Sequence, residues 1–292
     1  MSAHRRWVEV LETGMPVLVQ DLGRPGLGAV GVGRSGAADR DGFRLGARLL
    51  HHEKGEAALE VTYGNATFRA HGSMTVVLTG ADTAADVDGT PVPHASLFRL
   101  RDGQRLHLGA PAAGLRTYVS IRGGIGGERV LGSRSTDTLS GVGPAPLVAG
   151  DRVRVKRGRR RWLPVIDSVA VPARTLDPVQ VRARLGPRDA WIADPSRLEG
   201  QAWTASSRSD RVGLRLEGGL LERHARFEGA ELPSEGAVRG AIQVPPGGEP
   251  VVFLADHPVT GGYPVVAVVL ADDVDLLAQV RPGQGISIKV VS

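Results

Sequence analysis

The sequence predicts a mainly β protein with few short helices, arranged as two β-rich halves around a connector. Three observations lead there. Short runs rich in β-branched residues recur between Gly, Pro and Asp, as in SMTVVLT (73–79), LRTYVSI (115–121) and PVVFLA (250–255). Gly-Asp or Gly-Gln turns precede alternating runs in GDRVRV (150–155) and GQGISIKV (283–290), a hairpin or barrel-edge pattern. Between them, residues 159–177 lose the alternation and carry a basic cluster with Pro164 and Pro172. The expected organisation is therefore an N-terminal lobe over 1–158, a linker over 159–177 and a C-terminal lobe over 178–292. Two helices are expected: one over 37–50 with Asp39 near its start, and one over 272–280 with Asp272 or Asp273 as cap and Pro282 beyond its end.

At 292 residues the chain is long enough to bury two cores. A mean hydropathy of −0.08 and the lack of any long apolar run give no reason to expect disorder or a membrane-spanning segment. The N-terminal MSAHRRWVEVLETG has no apolar signal core, so the expected location is the cytoplasm. The absence of Cys excludes disulfides, thiolate zinc sites and a Cys nucleophile. The net charge of +5 comes from Arg, with Lys only at positions 54, 156 and 289, and aromatics are only 4%, too few for a base-stacking platform. The expected partners include neither nucleic acid nor a membrane, and the basic cluster near 159 reads as a solvated connector.

The stretch Thr13 to Asp39, TGMPVLVQDLGRPGLGAVGVGRSGAAD, has the composition of a binding loop. Gly23, Gly26, Gly28, Gly31, Gly33 and Gly36 let the backbone approach a ligand, and Arg24 and Arg34 supply planar forks for a carboxylate or phosphate. Two GxGxxG strings lie within it, GLGAVG and GVGRSG. A dinucleotide fold needs them directly after a strand in repeated βαβ units, whereas Asp21, Arg24 and Pro25 intervene and the chain lacks that alternation. P-loop, GxSxG, SxxK and HExxH motifs are absent. His51, His52 and Glu53 are adjacent rather than four apart, which reads as a surface turn. Asp86 with Asp88 reads as a turn, and Asp272, Asp273 and Asp275 as charge at a helix start. No metal site is expected.

A second Gly-Arg cluster, RGGIGGERVLGSRSTDT (122–138), joins Arg122 and Arg134 to Ser133, Ser135, Thr136 and Asp137. It is either a binding loop or a wide turn whose hydroxyls satisfy their own backbone. In the other half, SDRVGLRLEG (209–218) holds Asp210 beside Arg211, readable as a buried ion pair or as an Arg turned to substrate. Tyr263 follows two glycines and either places a phenol at a cleft or caps a barrel. Glu235 and Asp256 lie in glycine-rich or strand-end settings suited to proton transfer.

Several blocks together resemble one family: TGMPVLVQDLGRPG, GVGRSGAAD, LTGAD (78–82), YVSIRGGI, LGSRSTDT, SDRVGLRLEG, GAIQVPPGGEP, TGGYP (260–264) and AQVRPG (278–283). It is the biotin-dependent carboxyltransferase family of allophanate hydrolase subunit 2. The nearest likeness within it is to the group formed by the C subunits of 5-oxoprolinase, which also includes kinase-inhibitor antagonist proteins. The resemblance runs from about Val10 to Ile288. It implies two cyclophilin-like β-barrel lobes and a composite site completed by a subunit 1 type partner (allophanate hydrolase subunit 1, or the B subunit of 5-oxoprolinase), together with the A subunit of 5-oxoprolinase.

The activity so implied is ATP-dependent hydrolysis of 5-oxo-L-proline to L-glutamate by the complex. One alternative is transfer of a carboxyl group from carboxybiotin to urea or a similar amide; another is a regulatory protein that binds its subunit 1 partner without chemistry. No Met adjoins any Lys, so any biotin would arrive on another protein, and ATP would be used by the complex. Under this resemblance Arg24, Arg122 and Arg211 are the expected anion clamps. Arg34, Ser35, Asp39 and Arg134 join them at the substrate, and Glu235, Asp256 and Tyr263 are the expected catalytic groups.

Overall fold

A computed structural model describes residues 6–52, 56–158 and 166–292. Glu53 and the basic residues 159–161 lie outside them. The chain divides into two units that do not follow the sequence halves cleanly. Unit 1 holds 1–24, 39–137 and 141–175, and unit 2 holds 25–38, 138–140 and 176–292. The opening glycine loop is thus shared out, with Arg24 ending its unit 1 portion and Pro25–Ala38 belonging to unit 2.

Unit 1 is built from a six-stranded and a five-stranded antiparallel sheet. In the first, Arg6–Thr13 lies between Arg152–Val155 and Ala66–His71. In the second, Arg116–Ile121 lies between Ala58–Thr62 and Met74–Gly80. Strict alternation in ATFRAH buries Ala66, Phe68 and Ala70 while Thr67, Arg69 and His71 lean outward, the pattern of a strand wetted on one face. RTYVSI is buried along its whole length because the helix covers its outer face. Ile125, fully buried, bridges both to Ala57, at the start of the inner strand Ala58–Thr62, and to Val155 of the edge strand Arg152–Val155, and so links the two sheets.

That helix, Arg40–Leu49, starts where the sequence places it: the Asp39 carboxylate accepts from Gly42 N at 2.8 Å. Its buried face carries Gly42, Phe43, Gly46 and Leu49. A Cβ on Gly46 would lie 2.6 Å from Ser120 Oγ, so only glycine lets the helix sit this close to the sheet. Beneath it the fully buried Tyr118 donates to Glu60 Oε2 at 2.8 Å and accepts from Asp39 N at 2.9 Å. Burial, with the Glu60 and Asp39 charges beside it, holds the Tyr118 phenol well above its ordinary value. Residues 166–175, expected as connector, run along the same unit: Leu97 N donates to Asp167 O and Val169 N to Ala95 O.

Unit 2 is a closed barrel in the strand order Val179–Leu185, Val265–Val269, Ala241–Gln243, Val251–Phe253, Gly213–Glu217, Trp203–Ala205 and Gly285–Val290. A parallel pairing of Val179–Leu185 with the C-terminal strand, Val179 opposite Ile286, closes the ring and leaves no edge. Its interior is aliphatic around Trp203, whose indole donates to Leu198 O at 2.9 Å. The second expected helix forms over Ala271–Leu277, but Leu270 is its N-cap and makes no side-chain cap bond. Asp272 and Asp273 fall inside the first turn instead, where Asp273 chelates Arg182 through Nε and Nη2 at 2.9 and 2.7 Å. A partner on the adjacent strand therefore outcompetes the local cap.

Gly64 and His52 make the packing of unit 1 testable. Gly64 has φ +63°, and a Cβ there would stand 1.9 Å from Gly109 O, so Gly64→Ala should lower unfolding stability by ~2 kcal/mol or more in urea titration. His52 accepts from Gly123 N at 3.2 Å, and burial, helped by the nearby Lys156 and Arg122 charges against an opposing Glu56, lowers its pKa from 6.5 to about 4. The folded chain refuses the proton that the unfolded chain accepts below 6.5. Stability tied to His52 is thus complete above 6.5 and falls as the pH drops toward 4, by about 3 kcal/mol in all. A neutral His52→Gln variant should show a shallower loss of urea midpoint between pH 7 and pH 4.5.

Candidate functional site

Asp256 ends the turn after Val251–Phe253 and is 2% exposed. Five hydrogen bonds fill its carboxylate. Arg211 grips it from Nε to Oδ2 at 2.8 Å and from Nη2 to Oδ1 at 3.1 Å. Ser35 Oγ donates to Oδ1 at 2.7 Å, and Thr138 donates to Oδ2 from its N at 3.0 Å and its Oγ1 at 2.7 Å. Arg211 Nη2 also donates to Gly36 O at 2.6 Å. Burial by itself raises the Asp256 pKa, but the Arg211 charge and the bonds from Arg211, Ser35 and Thr138 outweigh it and hold the carboxyl below its ordinary value. Asp256 is an ionised carboxylate with its lone pairs engaged. It fixes the 35–36 and 138 segments of unit 2 to the barrel strands; a free general base needs open acceptor capacity, which Asp256 lacks.

The partner of Arg211 is thus Asp256, forty-five residues away, and not the adjacent Asp210. Asp210 turns back on its own loop and accepts from Val212 N at 2.7 Å and Gly213 N at 3.0 Å, an Asx turn that sets up the strand Gly213–Glu217. Glu235 is also paired: Arg188 donates to it through Nε at 3.2 Å and through Nη2, and the Arg188 bond and charge lower its pKa against the opposing effect of burial. Tyr263 is 44% exposed and lines an open cavity of ≈ 1080 Å³ in unit 2, with Leu220, Arg223, Glu228, Glu231 and Gly248 among the other walls. Asp256 and Glu235 are not among those walls. The three expected catalytic groups therefore occupy three different settings: Asp256 is enclosed, Glu235 is a partly exposed carboxylate paired with Arg188, and the Tyr263 phenol lines the open cavity.

In unit 1 the two Gly-Arg clusters meet. Asp21 accepts from Ser133 Oγ at 2.6 Å, Ser135 Oγ at 2.7 Å, Arg134 N at 2.8 Å and Gly23 N at 2.8 Å. The only signal of this role in the sequence is local, an Asp two residues before Gly23, which marks a turn and not its long-range partners. The local-turn reading of 133–135 holds in part, since Ser135 N donates to Ser133 Oγ at 2.9 Å, but both hydroxyls also reach across to Asp21. Arg24 is 2% exposed and donates from Nη2 to Ser135 O. Arg134 Nε donates to Gly127 O at 3.0 Å.

The remaining expected residues lie elsewhere. Asp39 caps the unit 1 helix and accepts from Arg174 Nη2 at 3.0 Å. Arg122 stands among cations, close enough to lower the pKa values of Arg6 and His52. Arg34 is exposed. The tandem glycine strings form a short 3-10 turn over Gly28–Val30 with Gly31 at φ 78°, and no βαβ unit surrounds them among the described residues. Among the described residues no group of three or more His, Asp or Glu side chains is arranged for a metal, and no helix is long and apolar enough to cross a membrane.

The family model for the carboxyltransferase domain, subdomains A and B, matches residues 30–290. The chain belongs to this carboxyltransferase family. The carboxyltransferase chain is 33% identical to the C subunit of 5-oxoprolinase from Escherichia coli K12, over 96% of its own length and 89% of the relative's. Among solved structures it is similar to the urea amidolyase of K. lactis, with a TM-score of 0.91 and 26% identity, covering 100% of this chain and 19% of that one. It is also similar to the protein TTHA0988, with a TM-score of 0.85 and 32% identity, where it spans 55% of the solved chain. The mainly β architecture read from the sequence is the architecture of these carboxyltransferase relatives.

Breaking the Asp256 knot should be costly, because the carboxamide of Asp256→Asn leaves Arg211 buried without its counter-charge. The variant should lose about 3–5 kcal/mol in urea unfolding, whereas Asp210→Asn, at an exposed turn, should lose well under half of that. In wild type, stability tied to Asp256 is complete above the ordinary carboxyl range and falls as pH drops through its lowered pKa; Asp256→Asn should show a smaller acid loss.

Proposed function

We propose that this chain is the C subunit of an ATP-dependent 5-oxoprolinase, which together with a subunit 1 type partner and the A subunit hydrolyses 5-oxo-L-proline to L-glutamate. The observation that carries this reading is the near end-to-end match with a relative that bears the name of the 5-oxoprolinase C subunit, covering 96% of this chain and 89% of that one. The urea amidolyase likeness occupies 19% of a much longer chain. Opening a lactam demands activation of a poor electrophile, and the complex spends ATP for it. This chain has no nucleotide motif, so its share of the work is binding and positioning.

The site chemistry is compatible with that share. Arg211, Ser35 and Asp256 hold one another in a rigid frame on the barrel, so Arg211, its charge already met by Asp256, positions loops and is not an open anion clamp. Tyr263, on the wall of an open cavity, is the expected catalytic group best placed to meet a reactant or a partner's loop. In this proposal Glu235 acts through its Arg188 pair, and Arg34, Arg122 and Arg134 serve as peripheral anion contacts.

A second reading, transfer of a carboxyl group from carboxybiotin to urea or a related amide, is favoured by the family description and by the amidolyase likeness. It requires biotin on another protein, since no Met-Lys acceptor pair occurs here. Co-expression with the A and B subunits of a 5-oxoprolinase, followed by measurement of ATP-dependent glutamate release from 5-oxoproline, tests the first reading. Release that depends on this chain is the expected result. A well-formed complex that releases none, and that instead carboxylates urea when given a carboxylated biotin carrier, would replace it with the second.

A further inference from the structure

Arg24 is a buried cation without a counter-charge among the described residues. Its side chain is 2% exposed and its one hydrogen bond goes from Nη2 to the neutral Ser135 O, while Nε and Nη1 meet no acceptor among the described residues. The carboxylate of the same loop, Asp21, is filled by Gly23 N, Ser133 Oγ, Ser135 Oγ and Arg134 N, and forms no ion pair with Arg24. A guanidinium cannot shed its proton to escape burial, and an unpaired buried charge costs several kcal/mol. Trapped water would satisfy the N–H groups but would leave the charge unbalanced.

The surroundings are also incomplete on the acceptor side. Gln20, fully buried, donates from Nε2 to Thr136 O at 2.9 Å and leaves its Oε1 without a partner. The two unfilled side chains are thus tethered to neighbouring carbonyls, Ser135 and Thr136, of one segment. Opposite them Gly143 takes φ 103°, and a Cβ there would lie 2.1 Å from Ser135 O and 3.2 Å from Arg24 Nη2, so the position admits no side chain beside the guanidinium.

We propose that Arg24 is the anchor of an anion site in unit 1, which takes a small carboxylate or oxyanion that also carries a donor hydrogen, with Gln20 Oε1 as the acceptor for that donor. Two sources share this chemistry. One is the carboxylate of an organic substrate such as 5-oxoproline, whose ring N–H is the donor; this assignment rests on the 5-oxoprolinase reading. The other is a free oxyanion, bicarbonate or inorganic phosphate. The site itself does not depend on which reaction the complex performs.

Thermal unfolding of the purified full chain, in chloride buffer at constant ionic strength, tests it. L-5-oxoproline, bicarbonate and phosphate are titrated separately at millimolar concentrations, with neutral 2-pyrrolidinone as the lactam lacking a carboxylate. A saturable rise in midpoint with at least one anion and none with 2-pyrrolidinone is expected. A response to 5-oxoproline alone identifies the organic carboxylate, and a response to bicarbonate or phosphate alone identifies the free oxyanion. Arg24→Lys, which keeps the charge and loses the fork, should weaken the apparent affinity about tenfold. Arg24→Met should abolish the response while keeping a midpoint in chloride at or above that of wild type, because it removes an uncompensated buried charge. No saturable response of wild type to any of the three anions overturns the proposal, as does an undiminished response in Arg24→Met. Should that variant fail to fold, the wild-type titrations and Arg24→Lys still decide. Turnover by the complex without an anion response would overturn the site and leave the reaction standing; an anion response without turnover would do the reverse.

Discussion

The ion pair between Arg211 and Asp256 is the constraint on which the organisation of unit 2 depends. Both groups are nearly free of solvent, and each has more hydrogen-bonding capacity than the other can use. Placing two charges out of water is tolerable only when the remaining lone pairs and N–H groups find partners, and Ser35, Gly36 and Thr138 supply them. Residues 25–38 and 138–140 therefore belong to the unit of a barrel whose strands begin only near residue 179. A second tie of the same kind lies nearby in sequence: Arg239 donates to Ala38 O at 2.7 Å and pairs with Asp275, while Ala38 packs with Ala255 and Ala278.

Unit 1 solves a related problem with neutral donors. Asp21 is buried and stabilised by two serine hydroxyls and two backbone N–H groups, so it takes no charge from the arginine three residues on. A carboxylate satisfied by neutral dipoles leaves the neighbouring cation available, whereas a carboxylate satisfied by arginine does not. The contrast between Asp21 beside Arg24 and Asp256 beside Arg211 separates a guanidinium kept open for a ligand from one used to hold loops in place.

Much of the scaffold was legible along the chain because it rests on short-range periodicity. Alternation in RVRV and GISIKV, the β-branched run of MTVVLTG and the Asp39 cap all report interactions between residues a few positions apart, and each appears as a strand or a helix start close to its expected limits. The cap expected at Asp272 or Asp273 failed for the opposite reason, since its rival partner, Arg182, is ninety-one residues away. Arg211 shows the same limit. An adjacent Asp looks like its natural partner, but neighbouring residues on a tight turn point apart, and the carboxylate that meets Arg211 arrives from another strand end.

The opening stretch, Thr13 to Asp39, shows where the division falls. Its residue types alone determined that the backbone bends repeatedly, that two planar cations are on offer and that no βαβ nucleotide unit is encoded, because those properties follow from glycine, arginine and the missing strand-helix alternation. Which arginine is buried, which serine meets which aspartate and where the stretch divides between units were decided only by the tertiary structure. Those outcomes depend on the balance of buried charge across more than a hundred residues of intervening chain, with Ser35 reaching Asp256 and Arg24 reaching Ser135. A sequence specifies that balance but displays it only once the partners are side by side.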